Sequence, residues 1–321
     1  MHALIIADLE GVTGLYPMHD SDQCKRLYTK EIEVFVKTLQ KNGARKITVC
    51  DAHDKGDLID RELLAKYDAA PVSQVWNMSF DEKYDFAILT GFHGMSGSRG
   101  YVPHTFRPDI KRAVSSGIEL GEVEIFCRWL GGRQIPVILV SGDSEAVHEG
   151  NYFNAYRYTC CVKSRNMAAT VSNKTIYNKI ETTIEAALKL DFTKCVSKDN
   201  EPVIIEIVNN EIYDEINAVR CGNRGSLIYA NCGELLANIK ELADQLNCAI
   251  SKSWETNIEF IKEIRDVIGD LPKEAVTNGH IKKLLTKSPA ELTKKDRSEI
   301  QNYLRSLITA WDNAVTAEDT K

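Results

Sequence analysis

Two carboxylates stand two residues apart where an apolar run stops, in Leu4-Ile5-Ile6-Ala7-Asp8-Leu9-Glu10-Gly11. A short apolar run closed by a glycine turn reads as a central strand of a parallel sheet, and in extended chain residues i and i+2 point to the same side. Asp8 and Glu10 are therefore expected to face one point together. Two such charges cannot both stay ionised in a dry cleft unless a cation lies between them or a proton is shared. Paired oxygens at the carboxyl edge of an open α/β sheet suit a divalent metal, and that edge is where such sheets bind ligands. An isolated Asp-x-Glu is more often a solvated turn, so the rest of the chain has to decide.

Three further runs read as strands that deliver polar residues at their ends. Lys46-Ile47-Thr48-Val49-Cys50 leads into Asp51-Ala52-His53, Phe86-Ala87-Ile88-Leu89-Thr90 into Gly91-Phe92-His93, and Ile135-Pro136-Val137-Ile138-Leu139-Val140 into Ser141-Gly142-Asp143. Residues 23 to 42 carry Leu27, Ile32, Phe35 and Leu39 at helical spacing and stop at Asn42-Gly43, which predicts an amphipathic helix crossing between the first two strands. Such a sheet sets Asp8, Asp51 with His53, His93 and Asp143 along one edge. A Gly-, Ser- and Pro-containing loop from Gly94 to Ser116 holds His104, and a loop that long is more often functional than idle. Gly121 to Gly132 follows as a short helix with Glu122 in its first turn, a position that by itself complements the helix dipole.

Imidazoles mixed with carboxylates favour Zn²⁺ over Mg²⁺, which prefers oxygen alone. Asp8, Glu10, His53, His93 and Glu122 are five candidate ligands, more than one catalytic zinc takes from protein. Two ions about 3.5 to 4 Å apart with a bridging carboxylate would use them better.

The 321 residues suffice for two domains or for one with an appendage. We read 1–150 as an α/β metal-binding catalytic domain, mostly parallel sheet with flanking helices. Residues 151–250 read as a smaller α+β portion packed on it, with a helix at 176–190, a strand at Val203–Val208, and Ser226–Ala230 ahead of a helix at about 233–247. Residues 251–321 read as a helical extension with breaks at Gly269–Pro272 and near Ser288-Pro289, its locally basic run from His280 to Lys295 being a solvated face. A net charge of −6 and a pI near 5.7 argue against a nucleic-acid footprint, which needs a basic face. No stretch approaches the roughly 20 apolar residues of a membrane span, and no signal-peptide core precedes Asp8, so a cytoplasmic protein is expected. Nine cysteines without Cys-x-x-Cys spacing are poor material for a disulfide framework or a thiolate zinc site.

Two family resemblances bear on the opening motif. Asp8-Leu9-Glu10-Gly11-Val12-Thr13, with Gly142-Asp143 later, resembles the haloacid-dehalogenase phosphatase signature, but Glu10 stands where a second Asp belongs and the histidines would have no task in an oxygen-only Mg²⁺ site. The closer resemblance is to the D-aminopeptidase (DppA-like) family of zinc metallopeptidases. It is carried, in order, by Asp8-Leu9-Glu10-Gly11-Val12-Thr13-Gly14, Asp51-Ala52-His53, Gly91-Phe92-His93, Val102-Pro103-His104-Thr105, Gly121-Glu122 and Pro136 to Asp143. The resemblance implies a two-zinc site on Asp8, Glu10, His53, His93 and Glu122, with His104 as the catalytic side chain. It also implies removal of an amino-terminal, D-configured residue from short peptides or aminoacyl amides. A loop histidine not needed as a ligand is suited to carry a proton to the leaving amine, and Asp51 is placed to orient His53. The chain departs from the family pattern at Glu124, Phe126 and Pro103. A homo-oligomer is expected. A non-catalytic assembly or binding protein that keeps the fold is the alternative from another functional class.

Overall fold

The computed structural model describes residues 1–15, 21–100, 102–107, 109–164, 172–207, 226–244 and 246, with 293, 295, 296, 299 and 303 near the end. Met1–Leu242 forms one compact unit and Ala243–Lys321 a second. In the second, Thr293 and Asp296 exchange side-chain-to-backbone bonds of 3.0 and 3.1 Å, the capping box of a helix start. Otherwise the expected helical extension, its breaks and its basic run lie outside the described residues.

The first strand, β1 (His2–Ala7), is buried on both faces from Ala3 onward, which is why it reads as a continuous apolar run with no alternation. It pairs in parallel with β2 (Lys46–Asp51) on one side and β4 (Phe86–Phe92) on the other. Outside them lie β3 (Ala69–Ser73) next to β2, then β7 (Val137–Asp143) and β8 (Tyr158–Lys163) beyond β4. All pairings in this six-stranded sheet are parallel, in the order β3-β2-β1-β4-β7-β8. The order reverses between β1 and β4, and in open α/β sheets the crevice beyond the carboxyl ends at such a reversal is the ligand site. Asp8 and His93 leave the sheet at that crevice.

Helix α1 (Ser21–Lys41) turns Tyr28, Ile32, Phe35 and Leu39 onto the sheet, packing beside α5 (Asn173–Ala187) over Ala3, Ile5 and Ala7. It ends as expected at Gly43, whose φ of 90° lets Ala44 N–H reach back to the Leu39 carbonyl at 3.0 Å. On its outer face Glu33 accepts from Lys30 at 2.6 Å and Lys37 at 2.7 Å, and from the Tyr67 hydroxyl at 2.7 Å. Burial opposes its charge, yet these three donors outweigh burial and hold the carboxyl down at about 2. A depressed pKa stabilises the fold above the ordinary glutamate range and loses that contribution as pH falls toward the folded value. Glu33→Gln is accordingly expected to lower stability by about 1 kcal/mol or less near pH 6. Thermal melts should show the gap to the parent closing as pH drops from 4.5 toward about 2.

Alternate residues of the central strands, among them Leu4 and Ile6, point by the pleat to the opposite face. There α4 (Ser144–Phe153) lies against Val140, packed beside α3 (Glu122–Gly131). The short helix α2 (Arg61–Lys66) precedes β3.

A second, antiparallel sheet has the order β10-β9-β5-β6, formed by β5 (Ile110–Ser115), β6 (Ile118–Leu120), β9 (Val203–Ile207) and β10 (Ser226–Tyr229), with helix α6 (Cys232–Ala237) after it. Both sheets draw strands from before and after residue 150. The far end of the loop expected between 94 and 116 is thus ordered as β5, which pairs with β9 some ninety residues later. Arg112 clasps Glu206 across that pair with two 2.8 Å bonds. Every cysteine among the described residues is free, and no helix among them is long and apolar enough to cross a membrane.

Candidate metal centre

Asp8 extends the β1 ladder by donating its N–H to the Thr90 carbonyl at 2.9 Å, and Gly11 N–H reaches the Gly91 carbonyl at 2.7 Å. The closeness depends on Gly91: its φ is 73°, and a Cβ there would sit 1.8 Å from the Asp8 carbonyl oxygen. The Asp8 and Glu10 side chains both reach the end of β2, although the chain bends at Leu9 and turns at Glu10 instead of continuing extended as expected. His53 Nδ1 lies 3.1 Å from Glu10 Oε2 and 3.4 Å from Asp8 Oδ1. From the end of β4, His93 Nε2 lies 3.5 Å from Asp8 Oδ2 and 3.4 Å from Glu122 Oε1.

The five residues therefore meet in two groups, Asp8-Glu10-His53 and Asp8-His93-Glu122, each with its donor atoms within 4.8 Å of one another. Asp8 belongs to both, turning one oxygen to each histidine. Its Oδ2 is buried and has no hydrogen-bond partner among the described residues. A buried carboxylate oxygen left so is costly unless something positive completes it.

His93 Nδ1 is 2.9 Å from the Gly94 carbonyl, which can only accept, so Nδ1 carries a hydrogen and Nε2 is the nitrogen that would ligate a metal. His104 repeats the arrangement. Its Nδ1–H donates to the Val102 carbonyl at 2.9 Å, and Nε2 faces Glu10 Oε1 at 3.9 Å. The ring stacks on His93 with centroids 4.1 Å apart and planes 14° from parallel. Phe106 N–H donates to Glu122 Oε1 at 2.7 Å, tying the His104 loop to the start of α3.

The charged groups of the cluster shift one another strongly. Burial, then the Glu10 charge, pushes Asp8 up to about 6. Burial also works against the His53 cation, but Asp8 and Glu10 outweigh it and raise His53 to about 11. Against the same penalty Glu122 and Asp8 raise His93, and the imidazoles hold Glu10 and Glu122 below the usual carboxylate range. Three acids in so small a buried volume call for positive charge among them.

Two other strand-end acids do different work from that expected. Asp51 accepts from Tyr28 Oη at 3.0 Å, Leu58 N at 2.9 Å and Ile59 N at 3.1 Å, so it fixes the backbone around His53 rather than the imidazole. Asp143 caps α4 through Glu145 N and Ala146 N and accepts from Gly94 N at 3.1 Å.

Two supporting residues escaped the sequence reading. Lys163, at the end of β8 and 0 % exposed, donates to the Glu10 carbonyl at 2.7 Å; burial lowers its pKa to about 8 despite the acids around it. Glu31 accepts from Thr13 N at 2.8 Å and Thr90 Oγ1 at 3.0 Å, bracing the turn after Glu10. Each left a signal: Lys163 closes a strand as the other site residues do, and Glu31 interrupts the apolar stripe of α1 between Tyr28 and Ile32.

Over most of its length the chain is similar to known proteins. A D-aminopeptidase of Bacillus subtilis (strain 168) is 25 % identical over 227 residues, which are 65 % of this chain and 82 % of that protein. The solved structure of the Zn-dependent D-aminopeptidase DppA from Bacillus subtilis, a self-compartmentalizing protease, aligns with a TM-score of 0.66 at 16 % identity. The alignment covers 77 % of this chain and 98 % of that one, and likeness at such identity shows a shared fold. The family model for D-aminopeptidase matches residues 1–219, two thirds of the sequence, and sets the phosphatase resemblance aside. The chain belongs to the D-aminopeptidase family.

Proposed function

We propose that this protein is a zinc-dependent aminopeptidase that removes a D-configured amino-terminal residue from short peptides or aminoacyl amides. In this reading two ions per subunit are held by Asp8, Glu10, His53, His93 and Glu122. The observation that carries the reading is the shared position of Asp8, a buried carboxylate with one oxygen toward each of two imidazole-carboxylate groups and no hydrogen-bond partner on the second oxygen among the described residues. The donor set suits zinc, since mixed imidazole and carboxylate ligation is its usual choice. When bound, zinc supplies Lewis acidity toward a carbonyl and makes water acidic enough to ionise near neutral pH.

The remaining work belongs to the chain. Asp8 keeps the two groups in one frame, and the Nδ1–H bond of His93 to Gly94 fixes which nitrogen faces them. His104, its Nδ1–H bound to Val102, presents Nε2 beside Glu10 as the atom that takes a proton and returns it to the leaving amine. Glu10 keeps its place because Lys163 holds its carbonyl from behind. Membership of the D-aminopeptidase family supports the reaction class, and the zinc dependence of the Bacillus subtilis DppA supports the metal. That protein's self-compartmentalizing assembly supports a homo-oligomer here too. We place the protein in the cytoplasm.

Chelation followed by zinc addition tests the reading on a panel of D- and L-aminoacyl amides and dipeptides. The expected result is hydrolysis that favours D-residues, disappears with chelator and returns with zinc. Turnover indifferent to chelation would contradict it, and bound zinc without turnover on any substrate would favour the non-catalytic alternative.

A further inference from the structure

Helix α3 carries Glu122 as its first residue, yet its N-cap is Gly121, which has no side chain with which to cap it. The cap comes from elsewhere. Glu149, on α4, accepts from Gly121 N at 2.8 Å and Glu124 N at 2.9 Å through a single oxygen, Oε1. These are two of the otherwise unpaired amides that open a helix. They flank Glu122 in sequence, so the bonds fix the backbone on both sides of it. Glu122 in turn faces His93 and accepts from Phe106 N, in the loop that carries His104.

Glu149 is 3 % exposed, and its second oxygen has no hydrogen-bond partner among the described residues. Gly121 is fitted to it: a Cβ at that position would lie 2.1 Å from Glu149 Oε2, although the backbone there, with φ of −93°, would accept any residue. Capping alone needs only a short Ser, Asp or Asn at position 121. A buried glutamate reaching across from another helix, with a glycine kept bare to receive it, ties the first turn of α3 to α4 and to the sheet beneath.

Building on the proposed two-ion reading, we propose that Glu149 is a positioning residue: by capping α3 from α4 it sets the Glu122 carboxylate against His93 and so tunes the affinity of the Asp8-His93-Glu122 group for its divalent cation. It touches neither substrate nor reacting atoms. Burial pushes the Glu149 carboxyl up to about 8, so an uncharged side chain of the same shape with an acceptor oxygen should serve. Outer partners of metal ligands typically govern affinity by about 10- to 100-fold.

The test is a competition titration with zinc on the full-length parent, E149A, E149Q and a control, I180A, that opens the core on α5 away from the site. E149A is expected to lose at least about tenfold in affinity for one of its two zinc ions. E149Q is expected to restore the parent value, and I180A to bind zinc normally despite a lowered Tm. Parent-like affinity in E149A overturns the proposal, as does E149Q binding as weakly as E149A, or I180A losing zinc equally. Should E149A not fold, G121A, which drives a methyl group into the Glu149 carboxyl, is expected to show the same tenfold loss, and parent-like affinity there overturns the proposal instead. A parent that binds no zinc contradicts the two-ion reading itself, an outcome distinct from any of these.

Discussion

Asp8→Asn is expected to purify with neither of the two zinc ions and to show only the activity of the chelated parent. The substitution keeps the size of the side chain and removes the charge that both groups share. Asp8 Oδ1 lies 3.4 Å from His53 and Oδ2 3.5 Å from His93, so losing either contact weakens one group and losing the carboxylate weakens both. Loss of any of the other four proposed ligands should be less complete, since each belongs mainly to one of the two groups. Thermal melts give an independent readout. Zinc should raise the Tm of the parent, because a ligand that binds only the folded state stabilises it, and should leave that of Asp8→Asn unchanged. Two equivalents of zinc retained by the variant, by elemental analysis, would remove Asp8 from its bridging role.

His104→Ala separates chemistry from metal binding. The variant is expected to keep the zinc content of the parent while kcat falls about 10²- to 10⁴-fold, the usual worth of a positioned proton carrier. KM should change far less. The basis is the placement of Nε2, held by the Nδ1–H bond to Val102 and lying farther from its nearest carboxylate than the nitrogens of His53 and His93 do from theirs. Its ring rests flat on His93, so the deletion also exposes that side chain, and a small drop in zinc affinity is compatible with the role. Loss of a full equivalent is not. Glu10, His93 and His104 also bring donor atoms within 4.8 Å of one another, so a variant short of one ion would assign His104 to the ligand set.

The convergence of Asp8, Glu10, His53 and His93 was legible because each follows a buried strand, and buried parallel strands announce themselves as apolar runs. The crevice between β1 and β4 follows from strand order, which apolar runs alone do not specify. Glu122 and His104 were harder: a first-turn glutamate and a loop histidine have ordinary uses, and only the ordered set of motifs singled them out. β8 was missed as a member of the main sheet because Tyr158-Thr159-Cys160-Cys161-Val162-Lys163 lies at its edge and is only partly buried, so it lacks the long apolar run of its neighbours. The β5 segment read as loop because its partner, β9, lies far away in sequence, and half-buried antiparallel strands draw their character from such partners. Asp51 and Asp143 illustrate the opposite error. Both end strands beside the site, yet each spends an oxygen on backbone amides, and Asp51 gives its other to the Tyr28 hydroxyl, a distinction that spacing alone does not carry.

Anomalous scattering at the zinc edge, from crystals of the zinc-loaded protein, measures directly whether two cations share one aspartate. Two peaks are predicted, one enclosed by Asp8, Glu10 and His53 and the other by Asp8, His93 and Glu122, with Asp8 contributing to both. A single peak, or peaks that Asp8 does not join, would contradict it.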